Sequence, residues 1–327
     1  MANAYTATTD VTGFIPNYYD KIFLERLLPG PVMMDYCLKK QLPSNTGKVA
    51  YFPRMVNSST MVSAYKLTEA TIIDTEKIDD AQVSATIEQF GNAKALTDLT
   101  QLTAINGTVE ETVRELADQA KNILDKRILQ EAYGTSASPT GAGFSVWTWN
   151  TVGNADLGTS TSAFGTYVGK VEFRMTAETI DFAVNKMRAR NVQPLEDGLF
   201  GLVVHTNTAT RLLQDSNWKT AYQYTDPENL RKGVAGSYGG AKIQIDNNIY
   251  TSANGSNGDT LYYSILLGRG GLGVTQLDGG VKTYAKKPNM NSTFDPINQF
   301  VSFGWKANMV PVRLNVSCGL IVITADA

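Results

Sequence analysis

With 327 residues, 43% apolar and 18% charged, the chain reads as globular and long enough for two domains, or one with a large insertion. Its 29 Lys and Arg against 31 Asp and Glu leave a formal net charge of −2, which argues against a dedicated nucleic-acid binder. Cys37 and Cys318 make neither a metal spacing nor a disulfide framework, the opening MANAYTATTDVTGF lacks the regions of a signal peptide, and no run approaches the roughly 20 apolar residues of a membrane span; a reducing, intracellular origin is expected.

Residues 1–44 are mixed, with an apolar cluster at Ile22, Phe23, Leu24, Leu27 and Leu28 before PGP, and read as an arm carrying one short helix. GKVAYFPRM, Gly47 to Met55, is a strand that Pro53 confines to an edge or a bulge. AQVSATIEQF, Ala81 to Phe90, alternates: Ala81, Val83, Ala85 and Ile87 face one way, and Gln82, Ser84, Thr86 and Glu88 the other. Between these strands lies YKLTEATIIDTEKIDD, Tyr65 to Asp80, with no Gly, no Pro and no tight-turn dipeptide. A connection of that length inside one domain is uncommon without a function. The whole makes one long hairpin with a wet face and a narrow apolar face, which needs a partner surface.

The strongest helix follows. Thr108 and Glu111 make a capping-box pattern, and Val109, Val113, Leu116, Ala120, Ile123, Leu124, Arg127 and Ile128 recur at spacings of three and four until Gly134. About 24 residues at 1.5 Å each give roughly 36 Å, enough to span a small domain. Residues 134–165 are Gly-, Ser- and Thr-rich and nearly uncharged, a long surface insertion in which FSVWTW has strand character. A second helix is predicted from about Ala177 to Arg190, with Ile180, Val184 and Met187 inward, ended by Asn191 and Pro194. Beyond it come strand LFGLVVH, helix TATRLLQD, strands AKIQID, LYYSILL and VKTYAK, then QFVSFGWKANM and VRLNVSCGLIVITA. This is a mixed α+β chain whose strands mostly meet antiparallel.

Motifs for catalysis are few. GRGGLG, Gly268 to Gly273, matches a dinucleotide fingerprint and follows a strand, but strand and turn residues stand where the phosphate-binding helix is required, so it reads as a glycine-rich turn. His205 is the only histidine and ends an apolar strand, where a satisfied structural role is expected. DTEKIDD lacks the central glycine of a calcium loop, and no P-loop or G-x-S-x-G is present. No catalytic residue, cofactor or metal is assigned. A hydrolase or ligand-binding reading of 171–300 would have to rest on His205 alone.

Several segments, in order, resemble the major capsid proteins of tailed phages. LPSNTGKVAYFPR is similar to the strand entering that family's extended loop, and LTEA, Leu67 to Ala70, to its tip. VSATIEQFGNAKALTD resembles the returning strand, FGLVVHTNTATRLLQDSNW a strand–helix unit that the family writes with HP where this chain has His205-Thr206, and GRGGLGVTQL a late glycine-rich turn. DPINQFVSFGWK resembles a motif near the C-terminus, carried here by Asp295, Pro296, Gly304, Trp305 and Lys306.

The resemblance implies the Hong Kong 97-type capsid fold: an N-terminal arm (1–44), an extended β-hairpin loop (45–95), a spine helix and insertion in a peripheral domain (96–170), an axial domain (171–297), and C-terminal strands returning to the peripheral domain (298–327). It implies a homo-oligomer of pentamers and hexamers in an icosahedral shell around double-stranded DNA, in a virion assembled in the host cytoplasm. It leaves room for scaffolding, portal and decoration proteins and for non-specific DNA contact, with no membrane. The extended loop would reach a neighbouring subunit through Tyr65, Lys66, Leu67, Glu69, Asp74, Glu76 and Lys77. An encapsulin-like compartment holding enzymes is the alternative on the same fold.

Overall fold

The computed structural model describes residues 14–27, 31–43, 45, 47–55, 66, 69, 80–103, 108–134, 143–150, 153–156, 174–225, 236–253, 260–286 and 299–325. Helix α3, Thr108–Tyr133, runs 26 residues, about 39 Å at 1.5 Å per residue. It ends where Gly134 turns to a φ of +96°, a conformation open to glycine and costly for other residues. The apolar stripe lies inward as its periodicity predicts: Val113, Leu116, Ala120, Leu124 and Ile128 are buried.

That stripe packs on a sheet ordered β1, β12, β13, β4, built from Leu38–Leu42, Leu272–Lys286, Phe300–Arg313 and Glu88–Thr97. β1 is parallel to β12, and the other pairs are antiparallel. Period-two alternation sends Val301, Phe303, Trp305, Ala307 and Met309 of β13 towards α3. The same core receives Phe23 from α1, Phe14–Leu27, and Met33, Tyr36 and Cys37 from the 3₁₀ turn and its exit. The expected arm is therefore folded against the body from α1 to β1. Tyr36 lies on Gly201, where a Cβ would come within 2.3 Å of the ring.

A second sheet, among the described residues, runs β6, β5, β14, β11, β7, β9, β8, with β10 beside β11. Its strands are Gly153–Asp156, Ser145–Asn150, Gly319–Ala325, Leu261–Leu267, Phe200–Val204, Ala241–Ile245 and Ser237–Tyr238, with Thr251–Ser252 as β10. Ile265, Leu267, Ile321 and Ile323 face the α3 core. Leu266, Leu320 and Val322 face a second core around helix α4, Ala177–Ala189. Burial on both faces explains why LYYSILL and GLIVITA are apolar runs rather than alternating ones. Helix α4 has Ile180, Val184 and Met187 buried as predicted, is capped by Thr176 and Thr179, and stops at Asn191, whose φ is +55°.

Three local readings change. Ala81 to Phe90 is not one strand: β3, Asp80–Thr86, pairs with β2, Val49–Met55, whereas β4 joins the long sheet. The break falls at Ile87, whose N–H closes the hairpin ladder on Lys48 O at 2.8 Å before Glu88 takes up Met309. Within 134–165 the middle is core rather than surface, because Phe144, Val146 and Trp147 are buried and β5 adds in parallel to β14. Helix α2, Asp98–Thr103, also intervenes between β4 and α3.

His205 caps α5, Thr206–Gln214, its Nδ1 accepting from Asn207 N at 3.2 Å, with the ring 4.8 Å from that of Tyr262. The GRGGLG segment is the turn from β11 to β12, with Gly270 at a φ of +74°. Helix α6, Ser216–Thr225, follows α5.

Candidate assembly surface

The long sheet has one covered face and one open face. Helices α1 and α3 cover the face bearing Phe303 and Trp305. Strand β4 is clamped to α3 on that side. Arg127 bonds Glu88 at 3.0 Å and Glu131 at 3.4 Å, Lys94 pairs with Glu115, and Asn92 Nδ2 donates to Gln119 Oε1 at 2.8 Å. Partial burial works against the Arg127 charge, but the two glutamates outweigh it and raise its pKa.

Register defines the open face. Tyr284 sits opposite Gly304 and Gly304 opposite Ala93; Lys282 opposite Lys306 and Lys306 opposite Gly91; Lys286 opposite Ser302 and Ser302 opposite Ala95. The face is thus a floor of small residues with three lysines and a half-exposed tyrosine standing on it. A groove of about 670 Å³ follows it, lined in part by Gly91, Ala93, Tyr284, Lys286, Gly304 and Lys306. The floor must stay small: a Cβ on Gly91 would meet Trp305 O at 2.7 Å, and one on Gly304 would meet Asn92 O and Ala93 Cβ at 3.1 Å. The described stretches Gln89–Thr97, Lys282–Lys286 and Phe300–Asn308 contain no Asp or Glu, and Glu88 beside them turns to the covered face.

The hairpin stands beside this sheet on a small core of its own. Ala50 and Phe52 of β2 are buried with Val312, and Leu42, Val83, Ala85 and Leu314 pack around them. Lys40 fastens the base, its Nζ donating to Tyr51 O at 2.6 Å and lying 5.3 Å from the centre of the Phe52 ring. The alternation predicted for 81–87 holds here, Val83, Ala85 and Ile87 being half-buried and Gln82, Ser84 and Thr86 exposed.

Of the loop residues expected to make contacts, Lys66 and Glu69 are exposed, whereas Tyr65, Leu67, Asp74, Glu76 and Lys77 lie outside the described residues. Asp295 and Pro296 lie outside them as well. The remaining motif residues come together on β13, where Trp305 is in the core and Gly304 and Lys306 line the groove. Residues missed from sequence are Gly91, Ala93, Lys282, Tyr284 and Lys286. The signal was present in VKTYAK, where Lys282, Tyr284 and Lys286 are two apart and share one face of a strand.

The family pattern described as phage capsid protein matches residues 80–315, which hold the hairpin's returning strand, α3, the groove, and both sheets except β1 and β14. The chain belongs to that family.

The fold of this capsid protein is accordingly that of phage shells. The capsid asymmetric unit of cyanophage Pam1 superposes with a TM-score of 0.66 at 13% identity, covering 92% of each chain. The capsid of Ralstonia phage GP4 gives 0.64 at 12% identity, covering 90% of this chain and 91% of that chain. A virus-like particle from Pyrococcus furiosus matches less well, 0.50 at 11% identity, over 93% of this chain and 99% of that chain. No curated protein sequence matches. Among the described residues no helix is long and apolar enough to cross a membrane, and no three His, Cys, Asp or Glu side chains gather as a metal site.

Proposed function

We propose that this capsid protein is the major shell subunit of a tailed phage, assembling as pentamers and hexamers into an icosahedral wall around double-stranded DNA. The observation that carries the reading is the pairing of two incomplete parts. One is a hairpin that, among the described residues, buries only Ala50 and Phe52, against Val312 of the long sheet; the other is a long sheet with an open, small-floored, basic face.

The two parts are complementary in charge. Residues 65–80 hold Glu69, Asp74, Glu76, Asp79 and Asp80 against Lys66 and Lys77. Lys282, Lys286 and Lys306 stand on the open face, the last two lining the groove. An acidic loop of one copy laid along the lysine face of the next would join them, with charge setting partner and register more than raw affinity. Each such contact is heterologous, so repetition closes into a ring or shell only at the correct rotation. Several contacts per subunit then act together, and each need be only moderate. The family match and the superpositions on phage capsids support a genome shell rather than an enzyme-holding compartment.

The test is expression of the full chain alone and with the scaffolding protein of its own phage, followed by light scattering and negative-stain imaging. Closed polyhedral particles are expected. A monomer under both conditions overturns the assignment.

A further inference from the structure

A buried polar joint lies outside the assembly surface, where three parts of the chain meet. Asp125, on the buried side of α3, is 2% exposed, and Asp246, directly after β9 of the second sheet, is 7% exposed. Met33 N, in the turn that follows α1, donates to Asp125 Oδ1 at 3.0 Å, and Asn248 Nδ2 donates to Asp125 Oδ2 at 3.3 Å. Asn248 N donates to Asp246 Oδ1 at 2.9 Å. The other oxygen of Asp246 is buried and accepts from no N–H or O–H among the described residues. Asn248 thus bridges the two carboxyls, its side chain bonding Asp125 and its backbone N–H bonding Asp246. A buried carboxyl oxygen left without an N–H or O–H donor beside a second acid calls for a proton.

We propose that Asp125 and Asp246 share one proton at neutral pH and form a pH-dependent latch tying the long helix, the arm exit at Met33 and the second sheet together. The shared proton gives the otherwise unmatched Asp246 Oδ2 a donor. Its loss places two negative charges side by side in a dry site. Three N–H donors remain to offset them, and like charges at such a distance are not both tolerated in a low dielectric. The joint then loosens at its weakest member, the turn carrying Met33.

Among the described residues the groups around the pair supply no compensating cation. The Cys37 thiol donates to Met33 O at 3.2 Å and is kept neutral by burial. The Tyr133 phenol, about two turns further along α3, is likewise held neutral by burial and donates to Tyr263 O at 2.8 Å. His205 has its pKa lowered by burial, an effect that the Asp246 charge only partly opposes. The ion pair of Lys39 with Asp35, at 3.7 Å, is exposed and internally balanced.

The pH window follows from burial, then the Asp246 contact, raising Asp125 from 3.8 to about 8. A carboxyl raised in the folded state binds its proton more tightly there than in the unfolded chain. The stability it contributes is whole below about pH 4, declines as pH rises, and is gone above about pH 8. Between about pH 6 and about pH 9 the unfolding constant of the wild type should rise roughly a hundredfold from this pair.

The experiment compares wild type with Asp246→Asn, whose amide can donate permanently to Asp125 while its oxygen still accepts from Asn248 N. Denaturant unfolding of the full chain is measured from about pH 6 to about pH 9, with amide exchange at Met33 followed alongside. The wild type should lose stability and Met33 protection across that window, and Asp246→Asn should lose neither to the same degree. Parallel profiles for the two proteins overturn the latch. If the variant fails to fold, the wild type is read by infrared spectroscopy: a protonated-carboxyl C=O band at about pH 6 that vanishes by about pH 9 supports the shared proton, and its absence at about pH 6 refutes it. Stabilisation of the wild type by added calcium, reversed by a chelator, would show a cation site in place of the proton and also overturn the proposal.

Discussion

Replacing Phe52 by alanine separates the hairpin from the body without touching the main core. Phe52 is 5% exposed, and its ring lies against Gly273, where a Cβ would meet it at 3.2 Å, and near Lys40 Nζ. Truncation removes the transfer energy of a buried phenylalanine, about 1.5–3 kcal/mol. It also removes an exposed cation–π contact of about 0.5–1 kcal/mol. Cavity terms push the sum towards the lower end of measured Phe→Ala costs, about 3 kcal/mol. Strands β2 and β3 pair only with one another, so that loss falls on the hairpin's own opening equilibrium. At 1.36 kcal/mol per tenfold, amides of Val83 to Ala85 should exchange about 150-fold faster by native-state hydrogen exchange. Amides in α3 from Leu124 to Leu129 should be unchanged, and particle yield should fall. If hairpin and α3 amides accelerate together, the hairpin is part of the body's cooperative unit and the reasoning fails.

Two further substitutions test the two faces of β13. Trp305→Ala empties a site only 2% exposed on the α3 side and should cost about 3–5 kcal/mol, read as a lowered denaturant midpoint at unchanged slope. The triple change Lys282→Glu, Lys286→Glu and Lys306→Glu acts on the open side. Surface changes of this kind each shift stability by about 0.5 kcal/mol or less, so the monomer should melt nearly as before while closed particles disappear from negative-stain fields. Normal particles from the triple variant would remove the groove from the assembly contact.

Periodicity recovered what one element decides by itself. Helix α3 was legible because its apolar residues recur on one face and Gly134 ends it; α4 was legible for the same reason, with Asn191 and Pro194 as its stop. The hairpin's dependence on a partner followed from its wet face and narrow apolar face, and the observed anchor is correspondingly small. β1 was not legible: LKKQL is mostly exposed and reads as arm, and only its parallel register with Gly273 to Leu277 makes it a strand. The break at Ile87 was hidden because the alternation continues through it, while the partner strand changes from β2 to β13.

The groove and the carboxyl pair escaped for a deeper reason. Each is a property of residues brought together by register or packing, and each residue alone has an ordinary local role. Lys282 and Lys306 are unremarkable until β12 and β13 set them opposite one another. Asp125 follows Leu124 within an apolar stripe, where a helical pattern treats it as a tolerated polar position, yet the helix turns it inward towards Asp246. A carboxylate on a buried helix face demands a donor, a cation or a proton. That demand is visible in the sequence as a conflict between pattern and residue type, and such conflicts are where regulation is best sought.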